Sequence, residues 1–365
     1  MASADHDWNQ LSWWHWAAPL AAALIYAAKV AHIIPGDSAL VLSVAVVLLG
    51  GAAFAAVHHA EVLAVRIGDP FGAILLALAI TTLEVGLIIS VMASGSPEVE
   101  TIARDTVYSV VMIVLNGIVG LCLIAGAVRH FQQAFRVQGA VGILSVIITL
   151  AVVSLIMPNF TLATPGPTYS TKQLLFVGTI TLFLYIVFVF VQTVRHRDDF
   201  VIARDDPHDV AKPRNKAVII SAVLMVVSLV MVILLAKTLS PVVELAILDA
   251  GLPKSVVGVV IGAVVLLPEA VTALKAARSN ELQTSLNAAL GSALASIGLT
   301  IPIIGAASVI FGQSITLGLP PEAMILLVLT LFISTLTFAT GRTTVLQGAV
   351  HLVLFGVFIF LSAFP

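Results

Sequence analysis

The chain has 365 residues, of which 60% are hydrophobic and only 10% charged, and its mean hydropathy is +1.12. That leaves too little polar side chain to cover a water-soluble surface, so it is read as a multispanning membrane protein. A formal charge of −2 with basic residues scattered or confined to loops excludes a nucleic-acid partner, and a lone Cys122 excludes a disulfide framework or a thiolate metal centre.

At about 20 apolar residues per crossing, the hydropathy pattern predicts an all-α membrane protein of about eleven transmembrane helices, since a closed barrel would show short alternating strands instead. The leading segment MASADHDWNQLSWWHW has two aspartates and no Lys or Arg, which argues against a cleaved signal peptide. Its Trp8, Trp13, Trp14 and Trp16 suit an interfacial anchor.

The first helix is expected over 13–33 and the second over 39–65, with His58, His59 and Glu61 near its end as interfacial polar residues or a proton relay. The third, 71–93, follows the turn Gly68-Asp69-Pro70 and carries Glu84 inside AILLALAITTLEVGLIISVMA. A carboxyl at bilayer depth costs roughly 2.5 kcal/mol or more, so it marks a functional site by default. Helical spacing puts Ala73, Ala77, Thr81 and Glu84 on one stripe.

Glu98 and Glu100 lie in the next loop, and Arg104 and Asp105 form a structural pair ahead of the fourth helix, 106–128, which displays Thr106, Ser109, Asn116 and Gly120. Helices at 138–157 and 173–194 complete a first half. The loop 195–216 contains Arg195, Arg197, Arg204, Lys212, Arg214 and Lys216 together with Asp198, Asp199, Asp205, Asp206, Asp209, His196 and His208. It reads as a solvated linker ahead of a pH or cation sensor.

After a helix at 217–237, the helix 254–274 follows Gly251-Leu252-Pro253 and carries Gly258, Gly262, Glu269 and Thr272 on one stripe. The helix 284–311 shows Thr284, Asn287, Gly291, Ala295 and Gly298, and helices at 322–341 and 344–363 end the chain.

The positive-inside rule places the basic 195–216 loop in the cytoplasm. Eleven crossings then bring Arg66, Arg129, Arg136, Lys275, Arg278 and Arg342 to the same side, twelve of the 17 basic residues in all. The N-terminus is cytoplasmic and the C-terminus outside. In this threading the Glu84 and Glu269 helices run in opposite directions, the pattern of an inverted-topology duplication. The expected organisation is an N-terminal segment and first helix over 1–37, a five-helix repeat over 38–194, the loop 195–216, and a second five-helix repeat over 217–365. Small residues beside a carboxylate and hydroxyls fit an oxygen-lined cation cage. A helix-packing role for a protonated Glu is the plainer alternative.

Three segments carry a family resemblance: GDPFGAILLALAITTLEVGLI, ARDTVYSVVMIVLNGIVGL and GVVIGAVVLLPEAVTALKAARSNELQTSLNAALGSALASIGLTIP. They resemble the two alpha-repeats of the calcium/cation antiporter (CaCA) superfamily, and within it the bacterial subgroup that exchanges calcium, sodium or potassium for protons. The resemblance implies that Glu84 and Glu269 bind the transported cation and the proton in competition. It further implies Asn116, Asn287 and Ser292 as supporting ligands, with Thr81, Thr82 and Thr272 next. Family members often carry Pro-Glu in both repeats; here Pro268 precedes Glu269 but Leu83 precedes Glu84.

No cofactor is expected beyond the transported Ca2+, Na+ or K+ and H+, and the partners are the lipid of the cell (inner) membrane and inorganic cations. A channel would need a continuous polar pore. An enzyme using the loop aspartates as a magnesium site lacks any nucleophile-base pair or HExxH motif, so no catalytic residue is assigned.

Overall fold

The computed structural model describes residues 12–33, 38–68, 71–94, 99–200, 213–253 and 255–365. Within them the chain is almost wholly helical, and the eleven expected helices form: α1 (Trp13–Val30), α2 (Ala39–Ile67), α3 (Phe71–Ser94), α4 (99–130), α5 (137–160), α6 (171–195), α7 (Asn215–Asp249), α8 (Ser255–Arg278), α9 (Leu282–Phe311), α10 (Pro321–Ala339) and α11 (Val345–Ala363). Ten of them are long and apolar enough to cross a membrane. The other, α1, is 18 residues long, and its Trp- and His-rich first turn and Lys29 dilute its hydropathy.

Two helices outrun their apolar segments. The polar stretch VETIARD is already helical, so α4 starts at Val99. Helix α7 continues through Pro241 to Asp249 because the residues beyond the proline are again good helix formers. Sequence capping sets several ends. Ser38 accepts from the Val41 N–H at 3.3 Å at the start of α2, and Gly68, at φ 77°, takes the positive-φ conformation that closes it. Helices α6 and α11 both open with a capping box, Ser170 with Gln173 and Thr344 with Gln347. Three helices contain π-helical turns: Ile113–Ile118 in α4, Val152–Ile156 in α5 and Val191–Arg195 in α6.

The chain divides into two compact units, one of residues 1–83 and 203–243 and the other of residues 84–202 and 244–365. In the first, α1 packs on α2. The His15 and His58 rings stack at 3.6 Å there, and His59 bonds the Ser221 hydroxyl and the His15 carbonyl, both at 3.2 Å. Arg66 at the end of α2 donates to the Pro213 carbonyl and to Asn215 at the start of α7.

The second unit has a repeated internal pattern. On α6, Gly178, Thr181 and Tyr185 follow the same spacing as Gly348, His351 and Phe355 on α11. Tyr185 covers Gly298 of α9, and Gly178 faces Pro302. Phe355 covers Gly117 of α4, and Gly348 faces Gly120 and Ile124. Each pair is antiparallel, and glycine is needed because a methyl group there would strike the facing helix.

Connecting loops meet in two groups at opposite ends of this unit. At one end Gln133 donates to the Ala277 carbonyl at 2.8 Å and to Asn280 at 3.1 Å, while β1 (Gln133–Ala134) pairs antiparallel with β2 (Arg342–Thr343). At the other, Thr316 N–H donates to Glu100 C=O and Gly318 N–H to Pro167 C=O. Successive crossings require this alternation. Large apolar side chains such as Phe176, Phe183 and Phe190 on α6 stand exposed, the surface a lipid-facing helix needs.

Candidate cation site

Both carboxyls singled out in the sequence are buried. Glu84 is 5% and Glu269 6% exposed, and both belong to the second unit. Glu84 Oε1 accepts a 2.6 Å hydrogen bond from the Ser296 hydroxyl of α9. Thr300 lies one turn further along the same face of α9, and its buried hydroxyl has no hydrogen-bond partner among the described residues. Ser292, Ser296 and Thr300 recur every fourth residue and share one face.

Helix α8 brings Glu269 to the same region by two independent registers. Gly258 faces Asp105, and Gly262 faces Ser109 and Ile113, so α8 and α4 run parallel. Continued two turns, that register puts Glu269 level with Asn116. On the other side, α8 and α9 pack as an antiparallel hairpin around the turn 279–281. Equal rises back from that turn put Glu269 level with Gly291 and Ser292, about 6 Å along the axis from Ser296. Small residues on the facing helix surfaces allow this approach.

The remaining expected ligands divide. Thr81 is buried and donates to the Ala77 carbonyl at 2.9 Å. Ser292 is half-buried on the α9 stripe, whereas Thr82 and Thr272 are exposed. Thr82 donates to the Leu78 carbonyl. Asn287 gives its amide N–H to the Phe200 carbonyl and accepts from Gln283 at 2.9 Å. Asn116 is fully buried, but its amide is engaged by Thr330 at 2.9 Å and His351 at 3.3 Å, on α10 and α11.

Sequence reasoning missed Ser296 and Thr300, although the four-residue spacing from Ser292 was available. It also missed His351. Arg104 and Asp105 pair at 2.8 Å as expected, and among the loop residues His196 lies 3.6 Å from Asp199. Trp8, Asp69, Pro70, Glu98, Arg204, Asp205, Asp206, His208, Asp209 and Lys212 lie outside the described residues, as does the side chain of Ala73.

A multihelix membrane fold with two buried carboxyls in one helical unit defines a membrane ion transporter. The profile of the sodium/calcium exchanger protein family matches residues 38–194 and again 220–364, and the chain belongs to that family. A putative ionic transporter, y4hA of Sinorhizobium fredii, is 50% identical over 355 residues, covering 96% of each chain. The sodium-potassium/proton antiporter ChaA of Escherichia coli is 35% identical over 313 residues, 84% of each.

Among solved structures, native YfkE superposes with a TM-score of 0.71 at 19% identity, covering 96% of this chain and all of that one. Another structure of that protein describes it as a Ca2+/H+ antiporter. At that identity the likeness establishes the shared fold. The resemblance to the calcium/cation antiporter superfamily read from the sequence is thereby borne out.

Proposed function

We propose that the protein is a secondary active transporter that exchanges cations for protons across the cell (inner) membrane by alternating access, with Glu84 and Glu269 binding cation and proton in competition. The observation that carries this reading is the buried Glu84 carboxyl held by Ser296 on α9, the helix that packs along the Glu269 helix. Two carboxylates in a dry site cannot both stay ionised without a counterion. Each must be protonated or cation-bound.

Serine and threonine hydroxyls near carboxylates are oxygen donors suited to hard cations, and Ser292, Ser296 and Thr300 would supply them. Asn116 and Asn287 frame the site from its edges. One divalent ion replaces two protons and one monovalent ion replaces one, so the same oxygens can serve Ca2+, Na+ or K+. A sodium-potassium/proton antiporter among the relatives supports the monovalent ions, and the shared fold with a Ca2+/H+ antiporter supports calcium.

The two separate family matches and the Gly-Thr-Tyr and Gly-His-Phe patterns of α6 and α11 support two inverted five-helix repeats, over 38–194 and 217–365, after an extra first helix. With the basic loop 195–216 in the cytoplasm, the N-terminus lies inside and the C-terminus outside.

Purified protein in liposomes with an internal pH dye, challenged with each cation in turn, tests the reading. Glu84→Gln and Glu269→Gln should each abolish cation-driven proton movement while leaving the helical content and the elution volume in detergent unchanged. Full exchange by either variant would refute a shared site.

A further inference from the structure

A second polar cluster lies inside the helical core, in which Asn116, at the edge of the proposed site, is joined by Thr330, Thr337, His351 and Met112, to which the exchange chemistry assigns no part. Asn116, Thr330 and His351 are fully buried and Thr337 is 3% exposed. His351 Nδ1 lies 3.3 Å from Asn116 Oδ1, and its Nε2 lies 3.1 Å from the Thr337 hydroxyl. Asn116 Nδ2 donates to Thr330 Oγ1 at 2.9 Å, and the Thr330 hydroxyl points to Met112 Sδ at 3.6 Å.

The donor pattern fixes the direction of the chain. Asn116 Oδ1 can only accept, so His351 Nδ1 carries the proton, and in the neutral ring Nε2 accepts from Thr337. The sequence Thr337, His351, Asn116, Thr330, Met112 is then a one-way run of hydrogen bonds that ends on a thioether. A thioether passes no proton on, and an amide is a poor relay, so this is not a proton wire. It is a clasp that ties α10 and α11 to α4.

What it clasps is the π-helical turn Ile113–Ile118, every residue of which is buried. A π-turn holds one residue more than an α-turn, which rotates the residues after it by about 100° relative to those before it. Ser109, ahead of the turn, and Ile113, its first residue, face Gly262 of the Glu269 helix; Gly117, inside the turn, and Gly120, beyond it, face α11. The repeated pattern supplies a comparison within the same chain. The position on α6 that corresponds to His351 is Thr181, which donates to the Gly178 carbonyl of its own helix at 2.9 Å, and the facing α9 is α-helical throughout. The cross-helix histidine and the π-turn occur together where α11 meets α4, and neither is present where α6 meets α9 at Thr181.

We propose that His351 is a positioning residue of the exchange site: acting through Asn116, it holds the π-turn of α4 and so sets the shape and cation preference of the wall that α4 presents to the Glu269 helix. The inference rests on the exchanger reading for the identity of the site it shapes. Its test uses full-length protein in two formats, exchange in liposomes for Ca2+, Na+ and K+ separately, and cation-dependent thermal stabilisation in detergent.

His351→Gln offers one N–H and one C=O to the same two partners and should keep KM within about twofold of wild type. His351→Ala should raise KM for at least one cation about tenfold, the scale of one lost buried hydrogen bond, and alter the order of the three cations with kcat little changed. Where His351→Ala does not fold, Thr337→Val, which removes the Nε2 partner at constant shape, should shift the same KM in the same direction. A glutamine variant as impaired as the alanine one would mean that the imidazole itself carries protons and would overturn the clasp. Wild-type cation ranking in His351→Ala, or in Thr337→Val, would overturn it as well. Failure of the exchanger reading would look different: wild type would move no protons, while the order of variants in cation-dependent stabilisation would still read the clasp.

Discussion

Removing the Ser296 hydroxyl is the sharpest perturbation of the site, because it changes one hydrogen bond and leaves both carboxyls in place. Ser296 donates to Glu84 Oε1 at 2.6 Å, and both side chains are buried, so no bulk water stands ready to replace the lost donor. A hydrogen bond to a charged group contributes about 1.5–3 kcal/mol. On the proposed reading the form of Glu84 that holds a cation is the carboxylate, and it would lose that much in Ser296→Ala. The expected result is a rise of roughly 10- to 150-fold in the apparent KM for the cation. Thr300, one turn on along the same face of α9 with its hydroxyl unengaged, can take up part of the loss, which sets the single change toward the lower figure and Ser296→Ala with Thr300→Val toward the higher. The assay is initial proton flux in liposomes against cation concentration. Unchanged KM in the double variant for every transported cation would refute the assignment of Glu84 as a cation ligand in this geometry.

Gly348→Ala tests the close contact of α4 with α11, since its new methyl group would lie 2.7 Å from Ile124 Cγ1 and 2.9–3.0 Å from backbone atoms of Ile124 and Gly120. Backbone cannot swing away as a flexible side chain can, so overpacking should cost about 1–3 kcal/mol, read as a lower melting temperature in detergent. Tyr169, outside the spanning helices, donates its hydroxyl to the Val153 carbonyl at 2.6 Å, and burial pushes its pKa up to about 12 from 10.0. A folded-state pKa above the unfolded one gives stability that is present below pH 10 and lost as pH rises toward 12. The melting temperature of wild type should therefore fall across that window, and Tyr169→Phe should fall less; parallel curves would contradict the account.

The sequence made the helices legible because each crossing must hide its backbone and carry an apolar surface, which leaves long hydrophobic runs. It made Glu84 and Glu269 legible because burying a carboxyl is costly. It hid what depends on side-chain direction. The resemblance implied Asn116 and Asn287 as supporting ligands, and nothing in the string showed that their amides also close on His351 and Thr330 and on Phe200 and Gln283. Nothing in the string IVLNGI marks a π-turn, and without that turn the orientation of Asn116 cannot be deduced. Helix α4 starts early for a related reason. Hydropathy locates the bilayer-spanning part of a helix, and VETIARD extends it through residues that are polar but still form helix.

The hydrogen bond from Ser296 to Glu84 also bears on why both halves are needed. The carboxyl lies on the third helix of the chain and its donor on the ninth, 212 residues apart, so on the proposed reading neither half completes the site alone. Because Ser292 lies level with Glu269 on the same face of α9 that gives Ser296 to Glu84, a single helix stands beside both acidic groups. A displacement of α9 along its axis by one turn would take a hydroxyl from one carboxyl toward the other. A cation that bridges the carboxylates opposes that displacement, and protons, which neutralise each acid separately, do not. Locking α9 with a crosslink should therefore abolish exchange while cation-dependent stabilisation persists; loss of both together would mean that the helix shapes the site and takes no part in switching it.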